Sequence, residues 1–325
     1  LTAYATPAAL PGPVYYPSGA YFYSGALSES PKMPPANQGG FFLTAAEGLN
    51  PTTDAANIAP ALAAITTHVY AASAIRGRKI HYFAAAGYTE FDIDAGTWSG
   101  YGVDLGVQLK AINSGFTNYP FSQGNAAVYD ELTDRFIVVL QPGDYPMGAR
   151  NGVFVFDPVN RVIESVLTQS AVYIGPSPSM VKVGRNVYMF YKTGNYLAPQ
   201  NLNQGLIYNI DTASFTYFTI QGNPSGTIYT QTNLQETIPA WTDGTSIHRW
   251  NYQDSLGGFV HTVNLTPVSG AGTSASPYIL AQTSRSVASA PTGVQYRYRG
   301  NYWPAARAMV ILPKSNQDWR VLPLS

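Results

Sequence analysis

The chain repeats one pattern of apolar and polar positions. Three segments show it most clearly: KIHYFAAAGY (79–88), RFIVVLQPGD (135–144) and NVYMFYKTGN (186–195). Each opens on a polar residue, continues with β-branched and aromatic residues, and carries a glycine at its ninth position. Glycine and proline interrupt such runs at intervals too short for long helices, so the pattern predicts β-strands.

Weaker copies extend this pattern over the whole chain. They are PSGAYFYSG (17–25), SIHRWNYQD (246–254) and RAMVILPKS (307–315). The six copies follow one another at intervals of roughly 50 to 60 residues, which is the spacing of a repeat architecture. We number these repeats unit one to unit six.

Each unit carries further strand signals on both sides of its copy. Small residues and a tight polar turn precede the copy, as in AASAIRGRK and PSMVKVGRN, and predict a first strand. In units two to four a second hairpin follows, with Asp94, Asp157 or Asp211 opening its turn. An Asp there accepts backbone N–H groups and stabilises the chain reversal. Four strands in two hairpins, repeated six times, predict an all-β chain: a single β-propeller domain over residues 1–325 with six four-stranded blades.

The stretch FDIDAGTW (91–98) adds a resemblance to a known family. A strand, a turn Asp and then an aromatic residue is similar to the kelch repeat of β-propellers, and the resemblance extends loosely over almost the whole chain. One glycine stands at 87, 143 and 194, where that family carries two. The resemblance implies a propeller fold. It also reaches galactose oxidase, whose copper cofactor requires a cysteine linked to a tyrosine, and this chain has no cysteine.

The last unit is too short for four strands. Only NQDWRVLPLS follows Ser315, which is enough for one more strand. A propeller must cover its strand edges, so the alternating segment LTAYAT (1–6) is predicted to supply the missing outer strand and close the ring. Residues 1–16 are accordingly predicted to form an extended arm. A helix signal occurs only within residues 53–75, where Thr53 or Asp54 offers a cap, and Pro60 argues against it.

Composition narrows the function classes. Charged residues make up 11% of the chain, against roughly 25% in an average soluble domain. The 24 tyrosines, with Ser, Thr, Asn and Gln, form a surface typical of extracellular or particle-bound β proteins. Eighteen basic residues balance eighteen acidic ones, so we predict no binding of nucleic acid. The most apolar segment, 58–75, is broken by Pro60 and His68, so we predict no membrane insertion.

The sequence contains no recognised catalytic motif. His248 and His261 are placed to meet across one hairpin, but a two-histidine site without a nearby acid is incomplete, so neither a metal nor a cofactor is predicted. The acids Glu90, Asp92 and Asp94 are interpreted as a solvated strand end. A glycosidase whose two carboxylates come from different units stays open as an alternative.

The predicted connections differ in length between the two faces of the ring. Turns between the first and second and between the third and fourth strands are short, as in GRK, ELTD and DPVN. The remaining connections share the other face and are long: 26–38, 106–122, 144–151, 195–204, 222–237 and 266–292. Long loops are usually functional, so this long-loop face is predicted to bind a partner. Rigid aromatic side chains with Asn and Arg suit sugar or protein recognition. The predicted ligand-binding residues of this kind are Tyr119, Phe121, Tyr145, Met147, Arg150, Tyr196, Asn201 and Asn203.

Two functions follow from these observations. The first is a non-enzymatic structural or adhesion protein, similar in general character to the propeller components of bacteriophage tails and capsids. Its partners would be other protein subunits of a large assembly or a glycan receptor, and its location a virion or the extracellular space. The alternative is a secreted glycan-processing enzyme, a hydrolase or lyase, built on the same ring.

Overall fold

The structure of the protein is a computed structural model, and it describes residues 13–15, 21–23, 72–77, 79–84, 87–92, 97–98, 103–114, 116, 126–140, 151–169, 179–193, 201–221, 240–253, 257–287, 299–303, 308–312 and 320–323. In these segments the chain forms β-sheets and a single α-helix. The prediction of a mostly β chain is therefore confirmed for the described part of the protein.

Units one and two contain the first seven strands. Unit one is an antiparallel hairpin of two strands: β1 (Pro13–Tyr15) and β2 (Tyr21–Tyr23). Unit two is a sheet of four strands, each antiparallel to the next: β3 (Ala72–Arg76), β4 (Lys79–Ala84), β5 (Gly87–Asp92) and β6 (Thr97–Trp98). The short strand β7 (Val103–Asp104) also pairs with β5.

Units three to six repeat the antiparallel order. Unit three has four strands: β8 (Ala127–Asp130), β9 (Arg135–Leu140), β10 (Asn151–Asp157) and β11 (Val162–Gln169). Unit four also has four: β12 (Ser179–Val183), β13 (Asn186–Thr193), β14 (Asn201–Asn209) and β15 (Ser214–Gln221). Unit five has four: β16 (Ala240–Thr242), β17 (Ser246–Gln253), β18 (Gly257–Ser269) and β19 (Tyr278–Val287). Unit six has three: β20 (Arg299–Trp303), β21 (Ala308–Leu312) and β22 (Arg320–Pro323).

The units stack in chain order. From unit two onward, the first strand of each unit lies beside the first strand of the next, so that β3 contacts β8, β8 contacts β12, β12 contacts β16 and β16 contacts β20. Apolar side chains fill the space between neighbouring units. Phe83 and Phe136 pack between units two and three, Val139 and Met189 between units three and four, and Phe190 and Leu280 between units four and five. Burial of these side chains is the main force that holds the units together.

The fourth strands of units four and five pair with each other in parallel, and we call this pairing the seam. Strand β15 pairs with β19, with Phe218 opposite Tyr278 and Gln221 opposite Ala281. The Tyr217 N–H also donates to the Gly272 carbonyl (2.9 Å) beyond the end of β18. The two units thus share one eight-stranded sheet. The predicted loop at 266–292 is wrong in this respect, because the extended β18–β19 hairpin occupies most of it.

A helix lies where a loop was predicted. Helix α1 (Leu105–Ile112) falls inside the predicted loop 106–122. Asp104 caps this helix by accepting a hydrogen bond from the Val107 N–H (2.9 Å), and Leu105 and Leu109 are buried on one side of it. Of the predicted helical segment, residues 53–71 lie outside the described residues, and the remainder belongs to β3.

The predicted short turns that the structure describes are confirmed, with one change of residue. Asp157 opens its turn and accepts hydrogen bonds from the N–H groups of Val159 (2.7 Å) and Asn160 (3.1 Å). In unit four the equivalent acceptor is Asn209, because β14 ends there; Asp211 accepts a hydrogen bond from Arg185 instead. Asp94 lies outside the described residues.

The ends of the chain are described only in part. The described residues of unit six form three strands, the number that its length predicted. The proposed closing strand, residues 1–6, lies outside the described residues. Within the predicted arm, Pro13–Tyr15 is a strand paired with Tyr21–Tyr23.

Candidate functional site

The antiparallel order gives each unit two distinct ends. The turns between the first and second and between the third and fourth strands lie at one end, which we call the short-turn end; they include residues 131–134, 184–185 and 210–213. The strand ends from which the other connections leave lie at the opposite end, which we call the long-connection end. The connections themselves, 141–150, 194–200 and 222–239, lie outside the described residues. The turn at 270–277 is the long exception at the short-turn end.

The structure does not describe most of the predicted contact residues. Tyr119, Phe121, Tyr145, Met147, Arg150 and Tyr196 lie outside the described residues. Asn201 and Asn203 belong to the backbone of β14, and Asn201 lies opposite Thr193. Their predicted place in a loop is wrong, because strand pairing begins at Asn201.

Ion pairs between units cross the short-turn end. Arg76 of unit two donates to Asp134 of unit three (Nη2 to Oδ2, 2.7 Å), and the Tyr129 hydroxyl donates to the same carboxylate (2.7 Å). Asp130 of unit three accepts hydrogen bonds from Arg185 of unit four at 2.7 Å and 2.8 Å. Each pair therefore links the short-turn ends of two consecutive units.

The basic partners in these pairs keep both carboxylates ionised. Burial opposes ionisation of Asp130, but hydrogen bonds from Arg185, Thr133 and Lys182 outweigh it and lower its pKa to about 2. The Arg76 guanidinium lowers the pKa of Asp134 to about 2. Both carboxylates are therefore ionised at neutral pH, and their role is to tie neighbouring units together.

A buried relay lies in unit two. His81 lies opposite Glu90, and its Nδ1 is 2.6 Å from the Tyr88 hydroxyl. That hydroxyl donates to Glu90 Oε1 (2.7 Å), and Lys79 donates to the other carboxylate oxygen (3.1 Å). Because the single proton of Tyr88 points to Glu90, His81 must donate from Nδ1. Burial lowers the pKa of His81 to about 3, so its ring is neutral at pH 7.

A second relay lies in unit five, at the short-turn end. Nε2 of His248 is 3.0 Å from Asp243 Oδ2, and Nδ1 is 2.9 Å from Thr262 Oγ1. Trp241 stacks on the ring, with 5.3 Å between the ring centroids. This relay combines a carboxylate, an imidazole and a hydroxyl in hydrogen-bonding order, which is an arrangement able to move a proton.

His248 and His261 do not meet. The register places His248 opposite Thr262, and Arg249 opposite His261. Adjacent residues of a strand point to opposite faces, so the two histidines lie on opposite sides of the sheet. The predicted contact is wrong because the pairing is shifted by one residue. No group of three or more His, Asp or Glu able to hold a metal ion occurs among the described residues.

A third histidine contact lies within unit five, beside the arginine that contacts unit four. His261 Nδ1 is 2.7 Å from the Ser284 hydroxyl. Next to it, Arg249 donates to Gln282 (2.8 Å), and its guanidinium carbon lies 4.4 Å from the centroid of the Phe190 ring. Burial, and then the charge of Arg249, lower the pKa of His261 to about 4. This cluster holds a charged side chain inside the interface between the two units.

Sequence reasoning missed the relay in unit five. The letters TDGTS (242–246) indicate a turn, but the residue opposite His248 depends on the strand register, which local sequence does not set. An Asp five residues before a strand His was the one available signal.

Comparisons with known proteins give distant structural likeness. The Kuenenia stuttgartiensis hydrazine synthase aligns over 77% of this chain and 69% of its own, with a TM-score of 0.44 and 8% identity. A complex of KlAtg21 with the coiled coil of AgAtg16 aligns over 77% of this chain and 65% of its own, with a TM-score of 0.40 and 12% identity. The polysaccharide lyase Uly1 aligns over 78% of this chain and 55% of its own, with a TM-score of 0.37 and 10% identity. No protein-family model and no curated protein matches the chain.

No helix in the described segments is long and apolar enough to cross a bilayer.

Proposed function

We propose that the chain forms a kelch-like β-propeller of six blades, closed by a strand from residues 1–6. The support is the contact order of the first strands, in which β3, β8, β12, β16 and β20 follow one another as inner strands of successive blades do. The three strands of unit six leave an outer place for the closing strand.

We propose further that the protein is a structural module that binds a partner through its long-connection end, and that this binding is itself non-enzymatic. The observation that carries this proposal is the difference between the two ends. The short-turn end is tied by ion pairs between units, such as Arg76 with Asp134 and Arg185 with Asp130. The strands at the opposite end are joined by the connections 141–150, 194–200 and 222–239, and connections of such length often carry recognition residues.

The partner class follows from composition. With 11% charged residues and 24 tyrosines, the contact would consist of aromatic packing and neutral hydrogen bonds. Partners of this kind are another protein subunit of a large assembly or a glycan, and the location is a virion or the extracellular space. Because few ion pairs would be screened, affinity should change little between low and high salt.

The test is to shorten connections 141–150 and 194–200 to two-residue turns. The full chain and the shortened variant are compared on a glycan array and in pull-downs from the native source. A matched control replaces Leu132, an exposed residue of a short turn, with Ser. We expect loss of capture in the shortened variant and none in the control.

Two results would contradict the proposal. Capture that survives the shortening would exclude the long-connection end as the binding surface. Turnover in a panel of glycosides, abolished by one acid substitution, would favour the glycan-processing alternative.

A further inference from the structure

The hydrogen bonds around His248 fix the direction of its proton transfer. Asp243 is ionised at neutral pH: burial opposes this, but hydrogen bonds from the Thr245 N–H and His248 lower its pKa. A carboxylate only accepts, so His248 donates to it from Nε2 and, in its neutral form, leaves Nδ1 as an acceptor. The Thr262 hydroxyl, 2.9 Å away, therefore donates to Nδ1. Histidine is thus placed to take the proton of Thr262.

The turn holds Asp243 in the orientation this requires. Its Oδ1 accepts hydrogen bonds from the N–H groups of Thr245 (2.8 Å) and Ser246 (2.7 Å) and from the Thr245 hydroxyl (2.9 Å). Its other oxygen, Oδ2, is left to face His248 at 3.0 Å. Asp243 is therefore a positioning residue for the imidazole.

The relay is open to solvent. The Asp243 side chain is 50% exposed and that of His248 19% exposed, and Thr262 is half-buried. Trp241 packs under the ring and limits its rotation. A small molecule can thus approach the relay, whereas Tyr88 in the other relay is fully buried.

We propose that Asp243, His248 and Thr262 form a nucleophilic relay that accepts acyl groups from small esters. Thr262 Oγ1 bonds to the ester carbonyl carbon while its proton passes to His248 Nδ1. The C–O bond to the leaving alcohol then breaks, and the alcohol takes that proton. Water attacks the acyl-threonine in the same way, which releases the carboxylic acid and restores the hydroxyl.

This activity is independent of the binding function proposed above. The relay lies beside the β16–β17 turn, at the short-turn end, away from the connections assigned to partner binding. Loss of one function would leave the other measurable.

The test uses the full chain with p-nitrophenyl acetate as the probe. We expect release of p-nitrophenol above the rate in buffer, and an acetyl group located on Thr262 by mass spectrometry. Thr262→Val should reduce release at least about tenfold, since it removes the nucleophile, and Thr262→Ser should retain it. The matched control is Thr283→Val, an exposed threonine opposite Thr262 on β19, which should leave release unchanged.

Asp243→Asn tests the direction of the relay. The amide oxygen can keep the hydrogen bonds of the turn, but its NH2 group would donate to Nε2 and force the Nδ1–H tautomer of His248. Acetylation should then fall by about 10² or more, and the ¹⁵N shifts of His248 should report the exchanged tautomer. A merely structural role would also exchange the tautomer but would leave acetylation unchanged.

Three results would overturn the proposal. They are an acetyl group absent from Thr262, release equal in Thr262→Val and the parent chain, or an unchanged tautomer in Asp243→Asn with unchanged acetylation.

Discussion

His81 and His248 occupy the same place in their repeats. Each is the third residue of its unit's second strand, in KIHYF and SIHRW. In unit two the acid is Glu90 on the third strand, and the proton of His81 points toward it through Tyr88. In unit five the acid is Asp243 in the preceding turn, and His248 is left to accept from Thr262. The position of the acid, more than the histidine itself, decides whether the ring donates or accepts.

Burial separates the two relays as well. His81 is 1% exposed and its ring lies 4.6 Å from that of Phe136 in the next unit. His248 keeps contact with solvent. The first relay therefore contributes to stability, and the second is available for chemistry.

The largest expected effect is on the pH dependence of stability. Burial lowers the pKa of His81 from 6.5 to about 3. Between these values the unfolded chain binds a proton that the folded chain does not, so the free energy of unfolding falls as the pH falls. His81→Asn keeps a donor near Tyr88 but does not titrate, and should remove up to about 1.4 kcal/mol per pH unit of this slope.

Urea denaturation of both proteins at pH 4, 5, 6 and 7.5 measures the difference. The contribution of His261, whose pKa is lowered to about 4, stays in both. Equal slopes in the acid range would mean that His81 is not sealed from solvent, and the contrast between the relays would fail.

The next effect is the loss of the buried hydroxyl. Tyr88→Phe leaves the Nδ1–H of His81 without its acceptor and should cost about 1–3 kcal/mol of unfolding free energy. Adding His81→Leu removes the orphaned donor and should recover part of that cost, which a double-mutant cycle measures. Additive costs would argue that the two side chains are not coupled.

A smaller effect is expected at the turn of the exposed relay. Asp243→Ala removes the acceptor of two backbone N–H groups and should cost about 1 kcal/mol, because solvent replaces part of the lost hydrogen bonding. Thermal unfolding with matched Asp243→Asn separates capping from charge. A cost as large as that of Tyr88→Phe would contradict the distinction between the two regions.

The smallest effect is expected at Thr262. Its hydroxyl is half-buried, so Thr262→Val should change the unfolding free energy by about 0.5 kcal/mol while abolishing acetylation. Loss of the hydroxyl would then lower stability in the relay of unit two and reactivity in the relay of unit five. A loss of unfolding free energy above about 2 kcal/mol would mean that Thr262, like Tyr88, mainly stabilises the fold.

The strands were predictable because their signals are local. Segments such as 186–193 combine β-formers with a Gly-containing turn before them, and the structure places strands in every unit where the pattern recurred. Helix α1 was missed because eight residues give little periodicity, and its cap, Asp104, reads equally well as a turn residue.

The relays and the seam were not predictable from the same signals. His248 meets Thr262 only through a register that a shift of one residue would replace with His261. The seam of β15 with β19 joins residues about sixty positions apart, and the sequence of neither strand indicates which strand it pairs with. Such pairings depend on how the units pack, which the pattern of one strand does not contain.

The seam also changes how the repeat array can come apart. In a stack whose units touch only through side chains, each unit is a nearest-neighbour element that can open by itself. Units four and five share backbone hydrogen bonds along β15 and β19, so opening either one exposes the edge of the other. Hydrogen exchange should therefore detect them as a single foldon, slower than unit two or three. Deletion of either unit alone should, for the same reason, destabilise the other.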